Sequence, residues 1–171
     1  MCESGLTVAL ADEQETCDLG AALARSAPGR THDLLVTLAG ELGAGKTTLA
    51  RALLRALGVT AAIRSPTYTL VEPYEVGGRK LLHFDLYRLA GADDLEALGY
   101  RDLRHDAWVS LVEWPERCGR AVGTADLACE IDYFDSGRRI KIVPGSPAGR
   151  DWVSRVRAWR NGDSTHTDSV K

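Results

Sequence analysis

The sequence predicts an α/β fold in which a mixed central β-sheet is flanked by helices. In the first third of the chain, short apolar segments alternate with longer amphipathic ones, which is typical of alternating strands and helices. The segment 75–79, Glu-Val-Gly-Gly-Arg, is a hairpin signal, so at least one pair of strands should be antiparallel. Together these observations predict a sheet that contains both parallel and antiparallel pairs.

Four elements are predicted in the first third of the chain. Residues 6–10 form a short strand, and a helix at 12–25 begins with an aspartate N-cap. Residues 34–39 are a continuous apolar run, which is typical of a buried parallel strand. The helix at 47–57 carries its leucines on one face, and Gly58 has the position of a residue that ends a helix.

Further strands and short helices are predicted in the rest of the chain. The elements are strands at 68–74 and 80–86, short helices at 93–98 and after Tyr100, strands at 108–112, 127–134 and 139–143, and a helix at 151–159. The compact size and the hairpin leave little room for a second domain, so residues 1–160 are predicted to form a single domain. Residues 161–171 are polar, and we expect them to be a disordered C-terminal tail.

The overall composition is that of a globular domain and argues against several functional classes. The 171 residues are 44% hydrophobic and 26% charged, which supports a real core. Proteins that hold nucleic acid directly are usually basic, so the net charge of −3 suggests that any role with RNA runs through a partner. The sequence shows no secretory signal, no membrane span and no zinc-type cysteine pair, which together indicate the cytoplasm.

The segment 40–47 reads Gly-Glu-Leu-Gly-Ala-Gly-Lys-Thr and matches the P-loop pattern. It follows a predicted buried strand and opens a predicted amphipathic helix, which is the context that the pattern requires. Glycines let backbone N–H groups approach a polyphosphate closely, and the helix N-terminus adds positive potential. We expect Lys46 to reach the β- and γ-phosphates and the Thr47 hydroxyl to ligate Mg²⁺. The sequence therefore predicts a P-loop NTPase-like ATPase domain.

Two acids stand at the ends of predicted strands, where a P-loop protein needs them. Asp85 follows Leu-Leu-His-Phe, and Glu113 follows Leu-Val. Such acids hold Mg²⁺ or its waters, or orient an attacking water. We therefore interpret Lys46, Asp85 and Glu113 as catalytic residues. Thr47, Asp85 and Glu113 are the candidate metal ligands, and which of the two acids binds Mg²⁺ directly stays open.

Three nearby features are less specific. His83 precedes Asp85 on its strand, and such a histidine is more often a hydrogen-bonded core residue than a catalytic one. Trp114 could stack on adenine, pack on a partner or belong to the core. The hydroxyls of Ser65 and Thr67 lie in a polar turn, and we interpret them as a switch-like segment that senses the γ-phosphate.

Two other classes of P-loop protein provide alternatives. A GTPase needs an Asn-Lys-x-Asp motif, whereas the one asparagine of this chain, Asn161, is followed by Gly-Asp. A small-molecule kinase needs a lid that brings arginines to the transferred phosphate. Arg117 and Arg120 could serve that purpose, although the sequence shows no clear lid insertion. The GTPase is excluded, and the kinase stays the alternative.

Four motifs together resemble those of the bacterial TsaE family, formerly YjeE. They lie in the family's order and spacing, and they read Gly-Glu-Leu-Gly-Ala-Gly-Lys-Thr-Thr at 40–48, Arg-Ser-Pro-Thr-Tyr-Thr-Leu-Val-Glu at 64–72, His-Phe-Asp-Leu-Tyr-Arg-Leu at 83–89 and Val-Glu-Trp-Pro-Glu-Arg at 112–117. The acidic segment 12–16 is also similar. Glu41 replaces the family's commoner aspartate, a change between two acids at a variable loop position. The resemblance covers roughly residues 12–143.

The resemblance implies a cytoplasmic P-loop ATPase required for tRNA threonylcarbamoyladenosine biosynthesis. It implies that the protein acts with the TsaB–TsaD complex, which modifies tRNAs reading ANN codons, and that tRNA is contacted indirectly through that complex. It also implies that ATP hydrolysis is weak without these partners and that it resets the transferase complex between turnovers.

The resemblance also implies a set of site residues. The family's Mg²⁺-linked positions fall on Thr47, Asp85 and Glu113, and its residue near the base of the nucleotide falls on Glu13. The ATP-binding positions that it implies are Glu13, Gly43, Ala44, Gly45, Lys46, Thr47, Thr48 and Trp114.

Overall fold

The computed structural model describes residues 5–29 and 33–160. Its strands are β1 (Leu6–Leu10), β2 (Leu34–Gly40), β3 (Val71–Val76), β4 (Arg79–Asp85), β5 (Ala107–Glu113), β6 (Leu127–Phe134) and β7 (Gly137–Pro144). Its α-helices are α1 (Glu13–Arg25), α2 (Lys46–Ala56), α3 (Ala92–Ala97), α4 (Tyr100–His105) and α5 (Pro147–Arg160). Two 3₁₀-helices, Pro115–Arg117 and Gly119–Val122, follow β5. The predicted C-terminal tail, 161–171, lies outside the described residues.

Within the described ranges, seven strands form one mixed sheet in the order β1-β7-β6-β2-β5-β4-β3. Strand β2 lies at its centre and runs parallel to both neighbours, β5 and β6. Strand β4 is also parallel to β5, whereas the outer pairs β3–β4, β6–β7 and β1–β7 are antiparallel. This arrangement confirms the predicted α/β fold with a mixed sheet.

The alternation of side chains along the strands creates two cores, one on each face of the sheet. Val36 and Leu38 of β2 lie in a core shared with α1, α2 and α5. Leu35, which precedes Val36 and points to the other face, lies in a second core shared with α3, α4 and the 3₁₀-helices. The fold therefore has three layers, and the helix that follows the glycine-rich loop packs on the first face.

The ends of α1 and α2 confirm the capping predictions. The Glu15 N–H donates to Asp12 Oδ1 at 2.9 Å, which satisfies one free N–H group of the first turn of α1. At the end of α2, Gly58 has φ 110° and its N–H donates to the Arg55 carbonyl, while Val59 donates to the Leu54 carbonyl. This pair of bonds is a Schellman motif, which favours glycine at its left-handed position.

Three predicted segments differ clearly from the structure. The last helix begins at Pro147 rather than at residue 151, since proline is tolerated in the first turn of a helix. The strand predicted from Tyr68 begins only at Val71, because Leu70 turns into a left-handed conformation with φ 64° and donates to the Pro66 carbonyl at 2.7 Å. The hairpin loop predicted at 75–79 is shorter than expected and consists of Gly77 and Gly78. Their φ angles of 56° and 74° are those of a two-residue turn that matches the twist of the strands.

No helix in the described part of the chain is both long and apolar enough to cross a membrane.

Helices α1 and α2 pack so closely at Gly20 that the contact leaves no room for a side chain. A Cβ atom at Gly20 would lie 2.6 Å from the Ala52 Cβ and 3.0 Å from the Leu53 backbone nitrogen. Gly20→Ala should therefore lower the free energy of unfolding by about 1–2 kcal/mol, because overpacking costs more than the gain in helix propensity. Chemical denaturation measures the change. Asp18→Ala, at an exposed position of the same helix, should stay within about 0.5 kcal/mol; a Gly20→Ala protein as stable as the wild type would contradict the prediction.

Candidate functional site

The glycine-rich loop joins the central strand β2 to helix α2 and opens towards the helix N-terminus. Gly45 precedes the helix with φ 109°, a left-handed conformation that a side chain would strain. At Gly40 a Cβ atom would lie 2.3 Å from the carbonyl oxygen of Ile131 on β6. The two glycines are therefore required for different reasons, one for the turn of the loop and the other for close contact with the neighbouring strand.

Lys46, the first residue of α2, is buried and folds over the loop that precedes it. Its Nζ donates to the carbonyls of Gly40 at 2.7 Å and Glu41 at 2.8 Å, and it lies 3.7 Å from the centroid of the Trp114 ring. Burial lowers the pKa of Lys46 below its ordinary value, and the charge of Glu113 is the largest influence that opposes this shift. An anionic ligand in the loop would favour the charged amine further.

The parallel pairing of β2, β5 and β4 brings their carboxyl ends to one edge of the sheet, next to the loop. Asp85 ends β4 and Glu113 ends β5, and the two residues are paired in the ladder. Both are almost fully buried, with exposures of 3% and 2%. Two neighbouring acids at this edge are a candidate site for a cation or a polarised water.

Both carboxylate oxygens of Glu113 accept hydrogen bonds. Thr47 donates its hydroxyl to Oε2 at 2.8 Å, and the Nε2 of His83 lies 2.7 Å from Oε1. With Glu113 ionised, this bond requires the tautomer of His83 that carries a proton on Nε2. His83 is fully buried, so its bond to Glu113 agrees with the interpretation of a hydrogen-bonded histidine of the interior.

Asp85 is held by the segment that precedes β3. Thr67 donates its hydroxyl to Asp85 Oδ2 at 2.7 Å, and the hydroxyls of Thr67 and Ser65 lie 2.9 Å apart. The backbone N–H of Tyr87 donates to Oδ1 at 3.0 Å. The two switch-like residues are therefore connected to the strand-end acid by a chain of hydroxyl groups.

Two cavities meet at the glycine-rich loop and share Gly43, Gly45 and Thr48. The first cavity has a volume of about 270 Å³. Its lining includes Trp114, the amine of Lys46, the two strand-end acids and the hydroxyls of Thr47 and Thr67. The second, of about 220 Å³, lies between the start of α1 and the β6–β7 turn, and Glu13 and Ala44 line it. The two cavities therefore adjoin each other at the loop.

The predicted site residues divide between these cavities. Lys46, Thr47, Thr67, Asp85, Glu113 and Trp114 line the first cavity, with Ser65 behind Thr67. Glu13, which the family resemblance associates with the base, lines the second cavity. Trp114 contacts Lys46 and lies 4.9 Å from the Tyr87 ring, between centroids. Trp114 and Glu13 thus lie in different cavities.

Sequence reasoning missed Tyr133 and Arg138, which hold the loop through its carbonyls, with Arg138 also lining the second cavity. Tyr133 donates its hydroxyl to the Leu42 carbonyl at 3.0 Å, and Arg138 Nε donates to the Ala44 carbonyl at 3.1 Å. Both residues lie about ninety positions after the loop in the chain. No local motif marks them, because the contact depends on the pairing of β6 with β2.

The groups around Glu113 suit a hard cation. The Thr47 hydroxyl directs its hydrogen to Glu113, which leaves its lone pairs for a ligand, and all three candidate ligands offer oxygen. Within residues 5–29 and 33–160, no three His, Cys, Asp or Glu side chains cluster closely enough to hold a metal ion. Mg²⁺ at nucleotide sites usually needs one or two carboxylates and takes its other ligands from phosphates and water. The donor set fits that mode of binding.

Comparison with known proteins shows the relatives of this chain. The family model described as threonylcarbamoyl adenosine biosynthesis protein TsaE matches residues 10–140. Proteins named tRNA threonylcarbamoyladenosine biosynthesis protein TsaE are similar in sequence. That of Haemophilus influenzae is 42% identical over 71% of this chain and 77% of its own length. That of Aquifex aeolicus is 38% identical over 77% of this chain and 90% of its own length.

A solved structure agrees with these sequence matches. The crystal structure of Bacillus subtilis YdiB superposes with a TM-score of 0.73 at 26% identity, and the match covers 92% of this chain and 97% of that one. The family model covers the glycine-rich loop, both strand-end acids and the β6–β7 turn. The chain therefore belongs to the TsaE family of P-loop ATPase-type proteins.

Proposed function

We propose that this chain is an Mg²⁺-dependent ATPase of tRNA threonylcarbamoyladenosine biosynthesis that acts with TsaB and TsaD. The observation that carries the proposal is the double hydrogen bond of Glu113, between Thr47 of the phosphate loop and the buried His83. This arrangement places an oriented carboxylate beside the loop. The names of the relatives support the pathway, since they are proteins of tRNA threonylcarbamoyladenosine biosynthesis.

Binding of ATP would use both cavities that adjoin the loop. The phosphates would lie at the N-terminus of α2, where backbone N–H groups and Lys46 compensate their charge. The adenosine part would enter the second cavity beside Glu13, with Thr48 at the boundary between the two cavities. Trp114 would then contact the phosphate side of the nucleotide rather than adenine, because it lies against Lys46.

Hydrolysis would depend on the two strand-end acids. Thr47, Asp85 and Glu113 would hold Mg²⁺ or its waters, and the ion would neutralise charge on the β- and γ-phosphates. His83 and Thr47 hold Glu113 in one orientation, so this carboxylate can accept a hydrogen bond from an attacking water without rearranging. Thr67 holds Asp85 in the same way and connects it to the switch-like segment.

The partner would act on that switch-like segment. Ser65 and Thr67 lie just before Tyr68, whose side chain is 81% exposed, so a docked protein can reach this part of the site. Ordering of such a segment by a partner raises the rate of many nucleotide hydrolases. We propose that TsaB–TsaD has this effect in the cytoplasm, that tRNA is contacted through the complex, and that hydrolysis resets the complex between turnovers.

Lys46→Ala should weaken nucleotide binding by about tenfold or more. The variant loses a charge-assisted contact to phosphate that contributes about 1.5–3 kcal/mol. Titration of wild-type and variant proteins with Mg²⁺ and a non-hydrolysable ATP analogue measures the change. Lys141→Ala, on an exposed position of β7, is the control and should bind normally. Equal affinity of Lys46→Ala and wild type would refute the assignment of the phosphate site.

Glu113→Gln and Asp85→Asn should fold and bind nucleotide, but their rate of ATP hydrolysis should fall by about a hundredfold or more. The amides keep the size of the side chains but lose the charge that a metal or an attacking water requires. Measurements of ADP release, melting temperature and nucleotide affinity separate these effects. Glu116→Gln, on the exposed side of the following 3₁₀-helix, should keep full activity. Full partner-stimulated activity in both acid variants would mean that neither carboxylate is catalytic.

The ATPase and kinase alternatives predict opposite responses to added components. If the proposal is right, ADP release by the purified chain is slow and rises several-fold or more when the cognate TsaB–TsaD is added. A small-molecule kinase would respond to a hydroxylated metabolite instead and would phosphorylate it. Parallel ADP assays with TsaB–TsaD and with a metabolite pool, the latter analysed by mass spectrometry, decide between them. A phosphorylated metabolite without any response to TsaB–TsaD would overturn the proposal.

A further inference from the structure

The β6–β7 hairpin contacts the phosphate loop beside the second cavity, which Arg138 helps to line. Tyr133, near the end of β6, donates its hydroxyl to the Leu42 carbonyl at 3.0 Å. Arg138, near the start of β7, donates from Nε to the Ala44 carbonyl at 3.1 Å and from a terminal nitrogen to the Gly43 carbonyl at 3.3 Å. Three successive carbonyls of the loop thus accept hydrogen bonds from one hairpin.

These contacts complete the hydrogen bonding of the loop carbonyls. Lys46 Nζ donates to Gly40 and Glu41, and the backbone N–H of Leu49 donates to Gly45. With the three bonds from the hairpin, every carbonyl from residue 40 to 45 accepts a hydrogen bond. Donors on α2 bond to the carbonyls of residues 40, 41 and 45. Donors on the hairpin bond to the carbonyls of residues 42, 43 and 44.

The orientation of these carbonyls decides where the loop's N–H groups point. In a trans peptide the C=O of one residue and the N–H of the next point in opposite directions. Bonds to the Leu42 and Ala44 carbonyls therefore turn the N–H groups of Gly43 and Gly45 away from the hairpin, and both glycines line the two cavities. Without these bonds a loop so rich in glycine would populate many other conformations.

Tyr133 and Arg138 also support each other. The Arg138 guanidinium lies 4.2 Å from the centroid of the Tyr133 ring, so stacking on the ring helps to direct its N–H groups to the loop. The Tyr133 hydroxyl is close enough that a Cβ atom at Gly43 would lie 3.0 Å from it. A positive charge on the outer carbonyls also polarises the peptide groups, which strengthens their N–H groups as donors.

We propose that Tyr133 and Arg138 are positioning residues that hold the phosphate loop in its ligand-binding conformation before the nucleotide arrives. They act through the loop backbone, and they raise nucleotide affinity because binding does not have to order the loop. This inference rests on the proposed nucleotide site but assigns a function to a hairpin outside the motifs of that site.

The test compares variants by calorimetric titration with ADP and Mg²⁺. Tyr133→Phe removes one hydroxyl and should weaken binding about threefold or more, and Arg138→Gln should weaken it about tenfold or more. The double variant should lose less than the product of the two effects, since both residues hold the same loop. In hydrolysis assays the KM for ATP should rise while kcat at saturation is kept.

The hairpin itself offers a matched control. Arg139 lies 3.4 Å from the centroid of the Phe134 ring, a second arginine–aromatic pair one position along the chain. Arg139→Gln removes the same charge from the same hairpin, and it should leave ADP affinity unchanged if contact with the loop is what matters. Melting temperatures of all variants should stay close to the wild type.

The outcomes separate the possible explanations. Wild-type ADP affinity in Tyr133→Phe would overturn the inference, because a direct charge effect of Arg138 on the nucleotide does not need the tyrosine hydroxyl. An equal loss in Arg139→Gln, or a parallel fall in melting temperature and kcat, would also overturn it in favour of a general effect on the hairpin. Failure of the wild-type protein to bind ADP would instead refute the proposed nucleotide site.

Discussion

The parallel pairing of β2 with β5 on one side and β6 on the other is the constraint on which the site depends. Parallel strands end at the same edge of a sheet, so the loop after β2 meets the residues that end β5 and those that follow β6. One side supplies Glu113, and the other leads to the hairpin that carries Arg138. The central position of β2 thus gives the loop an acidic neighbour and a basic neighbour.

The carboxyl edge of the parallel strands buries several ionisable side chains, and this burial explains why so many hydrogen bonds surround them. Lys46, Asp85 and Glu113 are almost inaccessible to water, and buried ionised groups are costly unless they are paired and hydrogen-bonded. Thr47 and His83 satisfy one acid, and Thr67 with the Tyr87 backbone satisfies the other. These bonds also limit the orientations of the carboxylates. The hydrogen bonds that offset the free-energy cost of burying the two acids therefore also orient them for binding a cation or a water.

The two antiparallel hairpins extend the sheet beyond its parallel centre and have different relations to the site. The β3–β4 hairpin places Asp85 at the end of β4, and the segment before it carries Thr67 to that carboxylate. The β6–β7 hairpin instead reaches the loop beside the second cavity, through Tyr133 and Arg138. One hairpin therefore contributes to the reactive side of the site, and the other supports the backbone that would hold the phosphates.

The sequence by itself determined the fold class, the elements around the loop and the identity of the acids at the strand ends. Those features depend on local patterns such as the glycine spacing at 40–45, the apolar run before it and the acid after each buried strand. Three local details were wrong. The left-handed turn at Leu70 delays β3, the Gly77–Gly78 turn is tighter than the pattern suggested, and α5 begins four residues earlier than predicted.

The tertiary structure alone decided which distant groups meet. The hydrogen bond between His83 and Glu113 depends on the register of β4 with β5, and the contacts of Tyr133 and Arg138 with the loop depend on the pairing of β6 with β2. It also separated Trp114 from Glu13 into two cavities. Strand order and register arise from packing over the whole sheet, so no local segment of the sequence contains them.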